Sequence, residues 1–401
     1  MANELAKLAV IRLIRYYQDM MITRTIQTKL EKELAEGNKV ILLFGARQVG
    51  KTTLVQHLLA HTPYRALQVN ADEMRYINVL SSRDLRQLRD LTGNYDLIFI
   101  DEAQRIPEIG INLKLMTDNI PNLRIIATGS SSLHLASKTR EPLTGRAWSH
   151  TLYPIAFCEL AHHYNRFELA DMLPERMIYG SYPDIFSMLG SEAKQDYLRN
   201  LTSSYLYKDI LEIGNIRYSN KLRDLLKLLA FQIGQEVSLN ELGAQLGMSK
   251  DTVASYIDLL EQSYVIFRLG GFSRNMRKEV SKRDKIYFWD VGVRNTIIGN
   301  LKPLSERNDV GHLWENLMIS ERRKWLAYQG ALGDVYFWRT YGGAEIDLVE
   351  EREGKLFSFE YKWGKKRVHA PKSFMNSYPE AIFEVITPQN FLAHVGGMTT
   401  V

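Results

Sequence analysis

The residues Gly45-Ala46-Arg47-Gln48-Val49-Gly50-Lys51-Thr52 have the types and spacing needed to hold the phosphates of a nucleotide, and Thr53 continues them into a helix-like stretch. Gly45 and Gly50 let the backbone wrap closely around phosphate oxygens, where successive N–H groups and a helix N-terminus attract the anion. Lys51 would reach the β and γ phosphates, and Thr52 would ligate Mg²⁺. The surroundings agree: the apolar run Val40–Phe44 reads as a strand leading in, and residues 53–59 read as a helix leading out. We expect residues 45–53 to bind ATP or GTP.

A second segment supplies acids. Residues 96–100, Asp-Leu-Ile-Phe-Ile, form a short apolar run suited to a buried parallel strand, and it ends in Asp101-Glu102. Ligands of open α/β sheets sit beyond the carboxyl ends of the strands, so both carboxylates would face the phosphates. Asp101 is the expected Mg²⁺ partner, and Glu102 the base that orients and polarises the attacking water, although an acid at a helix start has a plainer role against the macrodipole. The pair favours hydrolysis over nucleotide storage.

A third constellation lies near the C-terminus: Glu315 in an amphipathic helix, Asp347 after Gly342-Gly-Ala-Glu-Ile346, and Glu360 with Lys362 in an alternating strand. Side chains two apart on a strand share a face, so Glu360 and Lys362 point the same way. Two acids and a lysine on neighbouring strands could hold Mg²⁺ and position a water for phosphodiester cleavage. A structural or DNA-gripping module with the same residues and no cleavage is an equal reading.

The elements that must position these groups follow from periodicity. Residues 1–37 read as helical. Residues 38–155 alternate apolar runs with helical patterns, which gives an α/β fold with a P-loop parallel sheet wrapped by helices. Residues 156–225 form a helical lid region. Residues 226–300 have the layout of a winged helix: a helix at 238–246, a turn at Gly247-Met248, a helix from Lys250 to Glu261 capped by Ser249, and strands at 264–269 and 285–289. Arg274, Arg277, Lys278, Lys282 and Arg283 join the two strands. Such a fold binds DNA or packs against protein, and the layout alone leaves both open. Residues 301–401 make a C-terminal α/β unit.

A chain of 401 residues is long enough for several cores, and its 45% hydrophobic and 24% charged residues are ordinary for a globular protein. The single cysteine, Cys158, excludes an intrachain disulfide framework and a thiolate metal cluster, which fits a reducing, cytoplasmic compartment. Residues 5–14 are apolar but interrupted by Lys7 and Arg12, so they read as an amphipathic helix and not a signal peptide. No run reaches the length of a membrane span. The net charge of +5 is compatible with nucleic acid without indicating it.

The ordered motifs together resemble the prokaryotic ATP-binding proteins of the AAA superfamily whose C-terminal domain has a restriction-endonuclease-like motif. The resemblance runs through residues 43–53, Phe99-Ile-Asp-Glu-Ala-Gln104, Ala127-Thr-Gly-Ser-Ser131, Leu143-Thr-Gly-Arg146, Gly180-Ser-Tyr-Pro183, Tyr287-Phe-Trp-Asp290 and Gly311-His-Leu-Trp-Glu-Asn316, and covers about residues 20 to 390. It implies an ATP- and Mg²⁺-dependent ATPase with a γ-phosphate sensor among Thr128 to Ser130, Ser130 being the expected residue. Arg146 resembles the family's arginine that reaches a neighbouring subunit's nucleotide, or else pairs with a nearby acid. Gly180-Ser181 departs from the family's double glycine, and Ser130 stands where other AAA proteins carry Asn. A homo-oligomer, as a hexameric ring, is the superfamily's habit. The basic residues between the two strands and the cluster Lys365-Lys366-Arg367 beside Glu360 and Lys362 favour an oligomeric ATPase that acts on DNA, branched or forked DNA included. The other readings are a regulatory nucleotide switch with protein partners and an ATP-controlled nuclease.

Overall fold

The computed structural model describes residues 22–130, 143–206, 219–274, 283–331, 333–364 and 368–397. The helix expected at 5–14, the basic residues Arg277, Lys278 and Lys282, and the cluster Lys365, Lys366 and Arg367 lie outside the described residues.

The run Val40-Ile-Leu-Leu-Phe44 is buried at every position, as a strand covered on both faces must be. It forms β1 (Val40–Phe44) within a five-stranded sheet with β2 (Ala66–Asn70), β3 (Leu97–Asp101), β4 (Arg124–Gly129) and β5 (Ala147–Thr151), in the order β2-β3-β4-β1-β5. Every pairing is parallel. Alternate residues of β1 enter different cores. Ile41 and Leu43 pack with Leu30 and Leu34 of α1 (Gln27–Glu36) and Leu54, Val55 and Leu58 of α2 (Lys51–Ala60). Val40, Leu42 and Phe44 pack on the other face with Leu80 at the end of α3 (Met74–Leu80), Leu88 of α4 (Leu85–Thr92), and Leu113 and Met116 of α5 (Ile109–Asn119). Because β4 lies between β1 and β3, its carboxyl end is wedged between the loop that follows β1 and the acids that end β3.

Helices follow: α6 (Phe157–Leu160), α7 (Arg166–Tyr179), α8 (Pro183–Ser187) and α9 (Ser191–Asn200), which runs into a π-helical stretch, Leu201–Leu206. Next come α10 (Ser219–Phe231), α11 (Leu239–Leu246) and α12 (Lys250–Gln262), then an antiparallel hairpin of β6 (Ile266–Gly271) and β7 (Lys285–Phe288). Ser238 caps α11 by accepting from the Glu241 N–H, and Ser249 caps α12 by accepting from the Thr252 N–H. The hairpin does not stand apart. It extends the C-terminal sheet of β8 (Asp334–Arg339), β9 (Glu345–Arg352), β10 (Lys355–Tyr361) and β11 (Ile382–Ile386), in the order β11-β10-β9-β8-β6-β7, through a parallel pairing of Gly270 and Gly271 with Tyr336 and Phe337. The remaining α-helices are α13 (Val291–Ile297), α14 (Val310–Gln329), α15 (Lys372–Ser377) and α16 (Phe391–His394).

Several sequence motifs turn out to be joints. Asp290 caps α13 through the Val293 N–H and also accepts from the Ser181 N–H at 2.6 Å, while Asn295 donates to the last carbonyls of α7 at Met177 and Ile178. Gly180 has φ of +72° and lies so close to Asp290 that a Cβ would come within 2.1 Å of its carboxylate. The Asn316 amide of α14 pairs with both the N–H and the C=O of Phe288, so a side chain stands in for a neighbouring strand. Gly292 brings α13 against α7, and a Cβ there would sit 2.1 Å from the Tyr179 carbonyl oxygen. Since backbone is what it would strike, Gly292→Ala should destabilise the chain by about 1–3 kcal/mol or more, read as a lowered melting temperature. An unchanged melting temperature would show that α7 and α13 are not in close contact.

Candidate functional site

The loop after β1 turns on unusual backbone. Gly45 has φ of +150°, Gln48 +63° and Gly50 +93°, and Gly50 is the N-terminal flank of α2. At Gly45 a Cβ would lie 2.2 Å from the Leu152 carbonyl oxygen, so only glycine lets the loop pass the end of β5. Lys51 is buried, and its Nζ donates to the Gly45 and Ala46 carbonyls at 2.9 and 3.0 Å. Val49 is fully buried, Arg47 and Gln48 are half-buried, and Thr53 faces outward on the first turn of α2.

The acids meet this loop. Thr52 Oγ1 donates to Asp101 Oδ2 at 2.9 Å, which joins α2 to the end of β3. Thr128, at the end of β4 and fully buried, donates to the other oxygen of Asp101 and accepts from the Glu102 N–H at 3.2 Å. Glu102 itself has φ of +55° and ψ of +39°. A left-handed conformation costs a residue with a Cβ about 1–2 kcal/mol, so its neighbours must hold it there. Gln104 does part of this: its Nε2 donates to the Glu102 carboxylate and, at 3.1 Å, to Ser130 Oγ. The hydroxyl and carboxylate of Thr52 and Asp101 are hard oxygen donors, which suits Mg²⁺, and the glycine cradle at the N-terminus of α2 suits phosphate.

Glu102, Asp101, Ser130 and Thr52 therefore converge. Arg146 does not. It precedes β5, and its carbonyl accepts from the N–H of Val40, at the end of the sheet opposite the loop. Its Nε lies 2.7 Å from Asp118 Oδ1 at the end of α5. Sequence reasoning missed the roles of Thr128, which is the bridge between Asp101 and Glu102, and of Gln104. It also missed Arg24, whose guanidinium donates to the Val49 carbonyl of the loop at 2.8 Å. No spacing signal marks Arg24, because its partners are remote in sequence.

The C-terminal residues also come together. The register that pairs Phe359 with Leu348 puts Glu360 across from Asp347. Asp347 Oδ2 accepts from the Tyr361 N–H at 2.8 Å, and Lys362 Nζ lies 2.6 Å from Glu360 Oε1. Glu315, on α14, accepts from the Tyr287 hydroxyl at 2.6 Å. Among the described residues no His, Cys, Asp and Glu group has an arrangement that could hold a metal ion. Burial, then Glu315, pushes the Asp347 carboxyl up to about 7. Burial, then Asp347, raises that of Glu360.

The folded chain thus keeps a proton on Asp347 that the unfolded chain releases near the ordinary carboxyl value. The stability this gives is full below about pH 4 and is lost as the pH rises to about 7. The denaturant midpoint should fall more steeply across that interval in the wild type than in Asp347→Asn; equal slopes would place an ordinary carboxylate at 347.

Residues 37–161 match the AAA domain family, residues 170–304 a domain of unknown function (DUF8612), and residues 310–392 another domain of unknown function (DUF4143). An uncharacterized protein of Mycobacterium tuberculosis is 29% identical over 331 residues, covering 80% of this chain and 70% of that protein. An uncharacterized protein of Methanocaldococcus jannaschii is 24% identical over 397 residues, covering 87% of this chain and 83% of that protein. Among solved structures, a Walker-type ATPase of Pyrococcus abyssi is similar with a TM-score of 0.51 at 16% identity, over 69% of this chain and 96% of that one, which is a likeness of fold. None of the helices among the described residues is long and apolar enough to cross a membrane. The loop geometry, the AAA domain match and the shared fold together support an AAA-type P-loop domain over residues 37–161.

Proposed function

We propose that the chain is a Mg²⁺-dependent ATPase that works as a homo-oligomer and couples ATP turnover to binding of DNA. The observation that carries the enzymatic half is the meeting of Thr52, Asp101, Thr128 and Glu102 at the carboxyl ends of β1, β3 and β4. Lys51 and the cradle would hold the phosphates, Thr52 and Asp101 would hold the metal, and Glu102 would orient water while Ser130 would report the terminal phosphate. Bound Mg²⁺ would neutralise charge on the phosphate oxygens.

Lys51→Ala should weaken nucleotide binding, whereas Glu102→Gln should bind ATP normally and lose turnover, measured by equilibrium binding and phosphate release. Full turnover in Glu102→Gln would end this assignment. If Arg146 serves a neighbouring subunit, Arg146→Ala should lower turnover by roughly 10³-fold with affinity intact, and Asp118→Ala should not. Equal, small effects of the two would mean that the pair is structural.

The DNA half rests on the three helices and hairpin, read as a winged helix, and on their basic residues. The second helix of the pair is a poor candidate for a DNA groove. Asp251, Asp258 and Glu261 line α12, and Arg268 is spent on Asp258 and Glu261. Arg274 is likewise paired with Glu351, so we assign the phosphate contacts instead to Arg283, at the end of the hairpin connection, and to Lys365, Lys366 and Arg367. The acidic α12 favours a second reading, a nucleotide switch with protein partners.

Binding to linear, forked and four-way DNA should fall steeply between low and physiological salt, and alanine at 365–367 should flatten that dependence. No binding at low salt would remove the DNA reading and leave the switch.

A further inference from the structure

Lys285 opens β7 with 1% of its surface exposed, and it runs into the C-terminal carboxylates. Its Nζ is ion-paired with Glu345 and lies 3.5 Å from Glu315 Oε1. Tyr287, two residues along the same face of the strand, donates to that same Glu315 oxygen. From the other side Gly234, at φ of +74°, comes so near that a Cβ would sit 3.0 Å from Glu315 Oε1. The segment is fastened there by a β-bridge between Glu236 and Lys285. Asp347 on β9 is near enough to interact with the charges of both Lys285 and Glu315, and Glu360 on β10 with that of Asp347; Lys362 is held by Glu360, and His312, half exposed, lies 3.9 Å from Glu315.

An isolated buried ammonium costs several kcal/mol, so its place requires compensating anions. The same holds for the carboxylates, which repel one another unless a cation stands among them. In metal-dependent phosphodiester chemistry that cation is a divalent ion. We propose that Lys285 is a tethered cation that neutralises the carboxylate cluster of Glu315, Glu345 and Asp347 in place of a divalent metal, drawing the acids around its ammonium into an arrangement that holds no metal, so that the hairpin both locks onto the C-terminal sheet and keeps metal out. The C-terminal unit of this chain is then closed to metal-dependent cleavage while Lys285 is seated. This holds whether or not the chain hydrolyses ATP.

The test uses the full-length chain, free of nucleotide, with Mn²⁺ as the probe and thermal melting as the readout. Lys285→Met should melt below the wild type in metal-free buffer. Mn²⁺ should raise its melting temperature by roughly 2–4 °C, and the shift should vanish when Asp347→Asn is added. The wild type should show no Asp347-dependent shift. Lys285→Met with Glu315→Gln, which removes one charge of each sign, should melt closer to the wild type than Lys285→Met does.

The proposal is overturned if Mn²⁺ shifts the wild type as far as Lys285→Met in an Asp347-dependent way, because metal and lysine would then share the cluster. It is also overturned if Lys285→Met melts like the wild type and ignores Mn²⁺. Should Lys285→Met fail to fold, the double variant decides: recovery upholds the neutralising role, and failure to recover refutes it.

Discussion

One buried guanidinium holds the nucleotide loop to the rest of the chain. Arg24 has 5% of its surface exposed, and its Nε lies 2.9 Å from Glu159 Oε1, on a residue with no exposed surface at all. Its other nitrogens donate to the carbonyls of Val49 and Tyr153 and, at 3.5 Å, to the Tyr328 hydroxyl near the end of α14. Burial opposes the charge, but Glu159 and Tyr328 favour it more strongly, so the guanidinium stays ionised. A buried charge of this kind is tolerated only with a partner and a full set of hydrogen bonds, and breaking such a pair typically costs about 3–5 kcal/mol. Only the flat, five-donor fork of arginine could serve so many acceptors at once.

From this constraint the arrangement of the remaining elements follows. Glu159 also accepts from the N–H groups of Thr25 and Ala156, so α6 is fixed to the segment before α1. The Phe157 N–H in turn donates to Glu321 of α14 at 2.7 Å, and Lys324 neutralises Glu321 at the same distance. Arg322 grips Glu350 of β9 through two nitrogens at 2.6 and 2.9 Å. The long helix α14 is therefore a buried strut, charged where it meets other elements. One end meets, through Tyr328, the Arg24 guanidinium that holds the nucleotide loop, and the other presents Glu315 to Lys285.

Buried charge in such a strut trades stability for definition. An apolar helix could slide or rotate among similar packings, whereas each of these ions has one set of partners. The joints made by Asp290, Asn295 and Asn316 work in the same way, fixing α7, α13 and β7 by directional bonds. Motifs such as Gly180-Ser-Tyr-Pro183 and Tyr287-Phe-Trp-Asp290 are explained by these contacts: glycine leaves room for the Asp290 carboxylate, and Pro183 lies beside Gly50 at the cradle.

The sequence by itself determined what depends on neighbours along the chain. The turn at 45–50 and the helix after it were legible because glycines, an apolar run and a helical period are patterns of neighbours along the chain, and the strand that ends in Asp101-Glu102 because an apolar run ending in acids is a local pattern. The helices of 239–246 and 250–262 declared themselves through period and caps. Tertiary structure alone decided the rest. The strand order β2-β3-β4-β1-β5 inserts β4 between the loop and the acids, and so makes Thr128 the bridge between Asp101 and Glu102. Strand direction sends Arg146 to the opposite end of the sheet. The sheet that absorbs the hairpin brings Lys285 among acids that lie 30 and more positions away, and packing carries Arg24 to a glutamate 135 residues on. Hydrophobic periodicity tells which face of an element is buried, but not which element it is buried against, and the ion pairs that organise this protein join different elements.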